Sequence, residues 1–148
     1  MKKITLLLLA LILTACSAGG SELSLNQDKW KDAGINHYRF EVAVSCFCLF
    51  RSQMPLTVEV QDGEIVSMTD VNGEAFPLDD PMSDLVTKHA TIDRIFSELE
   101  SDSVQEADNL TVTYDPVYGY PVEIAIDYIE LAADDELYIS VSAMEPLP

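Results

Sequence analysis

In six stretches of this chain apolar side chains fall on every second residue, and that period of two constrains the fold more than any other feature. Tyr38, Phe40, Val42, Val44, Cys46 and Cys48 form the first, with Arg39, Glu41 and Ser45 among the residues between them. Leu56, Val58 and Val60 form the second, and Val66 and Met68 the third. Leu110, Val112 and Tyr114 form the fourth, Val122, Ile124, Ile126 and Tyr128 the fifth, and Leu137, Ile139 and Val141 the sixth. Each reads as a strand with one apolar face. Between the second and third, a two-residue turn at Asp62-Gly63 would set Val58 opposite Ser67. A three-residue loop with a bulge sets Val58 opposite Val66 and Leu56 opposite Met68, and the apolar register favours that longer loop.

Two segments carry a helical signature instead. Over residues 25–33 Ser24 is placed to cap a helix, Trp30 lies on its buried side and Gly34 is placed to end it. Thr91 caps the second, in which Ile92, Ile95, Phe96 and Leu99 share one face and Asp93 sits in the favourable first turn. Residues 70–90, rich in turn formers, read as a long connection, and residues 101–108 as a polar link. Helix and three strands thus occur twice. The fold class is α+β: tandem helix-plus-three-strand units forming an antiparallel sheet of about six strands, with two helices on one face and the other face toward water or a partner.

The first residues are of another kind. Lys2 and Lys3 precede an apolar run over residues 4–13, and Leu13-Thr14-Ala15-Cys16 closes it. This is the pattern of a signal peptide, its core of about ten residues falling short of the roughly twenty that span a bilayer. The closing box resembles the bacterial lipoprotein signal. That resemblance implies lipidation of the Cys16 thiol, cleavage before it and N-acylation with a fatty acid such as palmitate. Ser17, rather than Asp, follows the cysteine, which by resemblance to Gram-negative sorting favours an outer membrane facing the periplasm. The expected organisation is a signal peptide over residues 1–15, a lipidated cysteine and flexible tether over 16–24, and one domain over 25–148.

Charge narrows the partners. The chain has 8 Lys+Arg against 26 Asp+Glu, a formal charge of −18, and removal of Lys2 and Lys3 leaves 6 against 26, or −20. Such a surface repels nucleic acid and anionic headgroups, so basic partners or cations are the ones electrostatics permits. An acidic surface also keeps an exported domain in solution with no further role.

Few residues carry recognisable chemistry. In a regular strand the α-carbons of Cys46 and Cys48 would lie about 6.5 Å apart, the outer limit for a disulfide, so a bond between them needs a bulge or strand end. An oxidising compartment favours that local disulfide, ahead of two buried thiols and of a redox-active or metal-binding pair. His37 and His89 are isolated, and no second cysteine-rich segment completes a metal site. The segment Tyr114, Asp115, Tyr118, Gly119, Tyr120 and Pro121 reads first as a structural corner and second as a contact loop, since grouped tyrosines make rigid amphipathic area. The acidic runs at Asp79, Asp80 and Asp84 and at Asp134, Asp135 and Glu136 lack calcium-loop spacing. No nucleophile motif or phosphate-cradling loop is present, which makes an enzyme the minority reading, and no cofactor is expected.

Trp30, the Gly34-Ile35 step, Tyr38-Arg39-Phe40, Cys46-Phe47-Cys48, Thr91-Ile92-Asp93 with Phe96, and the run from Tyr114 to Pro121 followed by Asp127 occur together here. In that order they resemble a family of uncharacterised bacterial secreted and lipoprotein domains. The topology is similar to that of outer-membrane assembly lipoproteins and β-lactamase inhibitor proteins, an analogy of fold only. The expected role is a non-catalytic envelope lipoprotein, held to the membrane by its Cys16 lipid, that binds a protein or a cell-wall component. The alternative is a thiol redox or metal-handling protein using Cys46 and Cys48.

Overall fold

The computed structural model describes residues 21–45, 49–78, 83–132 and 134–148. The signal segment with Cys16, the Cys46–Cys48 pair and the acidic Asp79-Asp80 run lie outside the described residues.

The first helix, α1 (Glu22–Ala33), starts three residues before its expected beginning. Ser21, not Ser24, is the cap: its side chain accepts a hydrogen bond from the Ser24 backbone N–H at 3.2 Å. Residues 22–24 are therefore helix rather than tether. Glu22 adds a charge that suits the helix N-terminus, which the apolar spacing alone does not reveal. Gly34 closes the helix as expected.

Strands β1 (His37–Ser45), β2 (Leu56–Gln61) and β3 (Glu64–Thr69) follow as two antiparallel pairs. A 3₁₀ turn, Leu49–Ser52, lies between β1 and β2. The β2–β3 register corrects the expectation. Gln61 pairs with Glu64 across a two-residue Asp62-Gly63 turn, both residues at positive φ, the backbone that fits a hairpin's twist. The bulge sits inside the ladder instead of the loop, at the step from Glu59 to Val60 on β2, opposite Ser67 and Ile65. It brings Met68 opposite Val58 and leaves Val66 on the exposed side.

A one-turn helix, α2 (Asp84–Thr87), interrupts the long connection, and α3 (Ile92–Leu99) is the second expected helix. Thr91 caps α3 by accepting from the Arg94 N–H at 3.1 Å, and Ile92, Ile95, Phe96 and Leu99 are all buried. Another one-turn helix, α4 (Asp102–Gln105), buries Val104 in the link read as polar. Then come β4 (Asn109–Tyr114), β5 (Pro121–Asp127) and β6 (Glu136–Pro146).

All six strands form one antiparallel sheet in the order β3-β2-β1-β6-β5-β4. The first strand of one half pairs with the last strand of the other, so the two units join through their β1 and β6 edges. Phe40, Val42, Val44, Val58, Ile124, Ile126, Ile139 and Val141 pack on the helix side and form the core with α1 and α3. Two contacts lock the layers. The Trp30 ring meets Tyr38 at 5.3 Å and Tyr120 at 6.2 Å between centroids, both edge to face. The buried Tyr38 hydroxyl accepts from the Ile92 N–H at 3.1 Å, giving a partner to a donor that the start of α3 leaves without one. Burial pushes the Tyr38 pKa up to about 12.

Candidate functional site

No helix among the described residues covers the second face of the sheet, and its cross-strand rungs can be followed from the register. Thr113 on β4 stands beside Glu123 on β5, Glu123 beside Ser140 on β6, and Ser140 beside Ala43 on β1. One rung along, Thr111, Ala125, Tyr138 and Ser45 line up in the same way, and a further rung holds Asn109, Asp127 and Glu136. The small Ala43, Ser45, Ala125 and Ser140 on the first two rungs leave a depression of about 420 Å³, which Tyr138, Thr111, Thr113 and Glu123 also line. A shallower extension of about 250 Å³ runs onto the third rung. Tyr138 is 54% exposed, although it stands in the middle of a sheet.

The electrostatics of this face are one-sided at the β4 end. The ion pairs among the described residues are His37–Glu59, Arg39–Glu145 and Lys88–Glu98, so Glu123, Asp127 and Glu136 have no cation opposite them. Partial desolvation, then repulsion from Asp135, Glu136, Asp108 and Glu130, push the Asp127 carboxyl above the usual carboxylate range. At the far end of the same face, His37 bonds to the Pro148 backbone oxygen at 3.0 Å and to Glu59 at 3.2 Å, and both raise its pKa.

The tyrosine segment is placed differently. Asp115 Oδ1 accepts from the N–H groups of Val117 and Tyr118 at 2.9 and 2.6 Å, while the Gly119 N–H donates to the Asp115 carbonyl at 3.0 Å. The loop so formed leans on α1: Lys29 Nζ donates to the Pro116 carbonyl, and Gly119 lies against the backbone of Asn26. Tyr120 and Pro121 are buried, and Tyr114 and Tyr118 half-buried. The segment is packed as a corner on α1, and Val117 is an exposed apolar side chain on it.

Match to a family model covers residues 22–146, the whole of the domain from the start of α1 to the end of β6. The chain belongs to the DUF6174 family of unknown function. No curated protein and no solved structure matches it. The resemblance noted from the Cys-Phe-Cys and Tyr-Gly-Tyr-Pro words is thereby shown at the level of an uncharacterised domain, and the family's boundary at residue 22 coincides with the helix start rather than with residue 25.

Among the described residues, the sites named from sequence in this DUF6174 domain are the tyrosine segment and the two histidines. The Tyr114–Pro121 segment leans on α1, and His89 is fully buried. Among the described residues, no three His, Cys, Asp or Glu side chains stand close enough to hold a metal ion, and no helix is long and apolar enough to cross a membrane. What sequence reasoning missed is the depression itself. Its floor residues, Ala43, Ser45, Ala125 and Ser140, come from three strands whose adjacency depends on the β1-β6-β5 order. The available signal was their small size at outward-facing positions of otherwise well-formed strands.

Proposed function

We propose that this DUF6174 protein is a non-catalytic lipoprotein of a bacterial cell envelope, anchored through Cys16, that binds another envelope protein through the open face of its sheet. The observation that carries the reading is the depression over Ala43, Ala125 and Ser140, which the exposed Tyr138 also lines. An uncovered sheet face needs only polar side chains to meet water. Here it has a concave, small-residue floor beside a rigid aromatic ring, a combination suited to contact. A photo-crosslinking residue placed at Tyr138 in the full-length, membrane-anchored protein is expected to give adducts, whereas one at the exposed Ser97 on the helix side gives none. Equal labelling from both positions, or none from Tyr138, would overturn the reading.

Two further parts of the proposal rest on sequence. Lipidation at Cys16 follows from the signal and box, and Cys16→Ser is expected to yield released protein or uncleaved precursor instead of an anchored product. A structural Cys46–Cys48 disulfide is supported by two cysteines one residue apart in a chain expected to fold in an oxidising compartment. A mature protein without free thiol before reduction, and with two thiols after it, is the expected count.

A further inference from the structure

The two edges of this sheet are unlike. β3 is bulged opposite Val60, carries Glu64, and is partly covered by the chain that follows it: Thr69 bridges to Ala75, and the Phe76 N–H donates to the Met68 carbonyl at 2.9 Å. These are the devices by which proteins blunt an edge. β4 carries no charge and, among the described residues, no covering segment, and the register shift in its ladder falls only at its last step, from Thr113 to Tyr114. Its sequence, Asn-Leu-Thr-Val-Thr-Tyr, contains no charge, proline or glycine, and among the described residues its one strand partner is β5. Leu110, Val112 and Tyr114 remain only half-buried, whereas the same-side Ile124 and Ile126 of β5 are buried, so the flank of the core is open along β4. A further strand there would complete both the hydrogen-bond ladder and the apolar flank.

The charge around β4 selects what that strand is. Glu123 and Asp127 lie on the neighbouring strand, Glu136 one strand further, and Asp108 directly before β4, and among the described residues none of them has an ion pair. A second copy of a chain with net charge −18 would bring like charge to like. A strand with lysine or arginine at alternate positions would let those long side chains reach across β4 toward the Glu123 and Asp127 column.

We propose that the β4 edge accepts an extended basic segment of a partner protein as a seventh strand, its long cationic side chains on the open face reaching across Asn109 and Thr113 toward Asp127 and Glu123 and its apolar ones beside Leu110 and Val112. This deepens the open-face reading and rests on it.

The test uses the full chain and three synthetic peptides of about ten residues, long enough to outreach an ordinary strand: alternating lysine and valine, the same with glutamate for lysine, and the lysine peptide N-methylated at alternate backbone nitrogens. The lysine peptide is expected to bind, to bind less tightly as salt rises, and to protect amides of β4 from hydrogen exchange. N-methylation should weaken it roughly ten-fold or more, as loss of main-chain hydrogen bonds requires. The glutamate peptide should not bind, and the doubly substituted Glu123→Gln, Asp127→Asn protein should bind the lysine peptide more weakly. Equal binding of methylated and unmethylated peptides would overturn strand addition, as would failure of the lysine peptide to bind at all. Protection of β4 that rises with protein concentration alone would assign the edge to a second copy. Tyr138 crosslinks that persist in any of these cases would leave the open-face reading standing without this one.

Discussion

At the scale of single residues, Gly119 is the most tightly packed of the described glycines. Its φ is +80°, and a β-carbon built there would meet the Asn26 carbonyl oxygen at 2.5 Å and the Lys29 β-carbon at 2.9 Å. Neither a left-handed backbone nor a backbone oxygen gives way cheaply, so Gly119→Ala should destabilise the domain by at least about 2 kcal/mol, measured by urea denaturation. The same change at the exposed Gly73, where nothing lies within 4 Å, retains the backbone penalty and lacks the clash, and should cost less. A second residue at this scale is His89. It is fully buried, and neither ring nitrogen has a hydrogen bond of good geometry among the described residues, although the Leu85 carbonyl favours the charged form. Burial, then the charge of Lys88, lower its pKa from 6.5 to about 4, against a smaller upward pull from Glu98. Because the folded pKa lies below the unfolded one, the unfolded chain binds the extra proton between these values. The stabilising contribution is therefore present above about pH 6.5 and is lost as pH falls toward 4, by about 3 kcal/mol in all. His89→Leu should flatten that part of the stability–pH curve; a variant with the wild-type acid limb would show that other groups produce it.

At the scale of elements, α3 is where sequence and structure agree most closely, and it is a place to measure what the agreement is worth. Thr91 caps it and Phe96, 1% exposed, fills the space between helix and sheet. Phe96→Ala is expected to cost about 3 to 5 kcal/mol and Thr91→Ala about 1 kcal/mol, read from denaturation midpoints at unchanged m-value. Apart from β3, whose Val66 is exposed, the strands were legible for the same reason as α3: one face is more buried than the other, and one-sided burial imposes a period on the sequence. What was illegible has no such period. Helix α1 begins in Ser21-Glu22-Leu23-Ser24, a polar stretch behind two glycines that reads equally well as tether. The one-turn helices α2 and α4 each bury a single side chain, Val86 and Val104, too little to register as a pattern. The β2–β3 register went astray because pairing apolar residues with one another ignores a bulge, which lets Met68 reach Val58 while Val66 points away from the core. The open-face depression was hidden for a third reason. Small and polar residues at outward positions are normal in any strand, and only the pairing of β1 with β6, from opposite ends of the chain, sets them side by side.

At the scale of the molecule, that same pairing decides how the domain folds and unfolds. The tandem arrangement invites a picture of two halves, yet β1 and β6 are neighbours at the centre of the sheet, with Tyr38 paired to Pro146 and Ser45 to Tyr138. Each half therefore ends in a long unpaired edge without the other, and its share of the core is open. Contacts between residues some hundred positions apart must form before the central ladder is rewarded, which places folding among the slower topologies of its size. The single tryptophan is well placed to test this unity. Trp30 touches Tyr38 in the first half and Tyr120 at the entry to β5 in the second, so its fluorescence reports the joining of the halves. Far-ultraviolet circular dichroism reports the helices and strands within each. If the domain is one cooperative unit, the two signals should follow a single superimposable transition in urea, with one midpoint and one slope. A tryptophan midpoint clearly below the circular dichroism midpoint would mean that the halves separate before they unfold, and the β1–β6 seam would then be the weak line of the sheet rather than its centre.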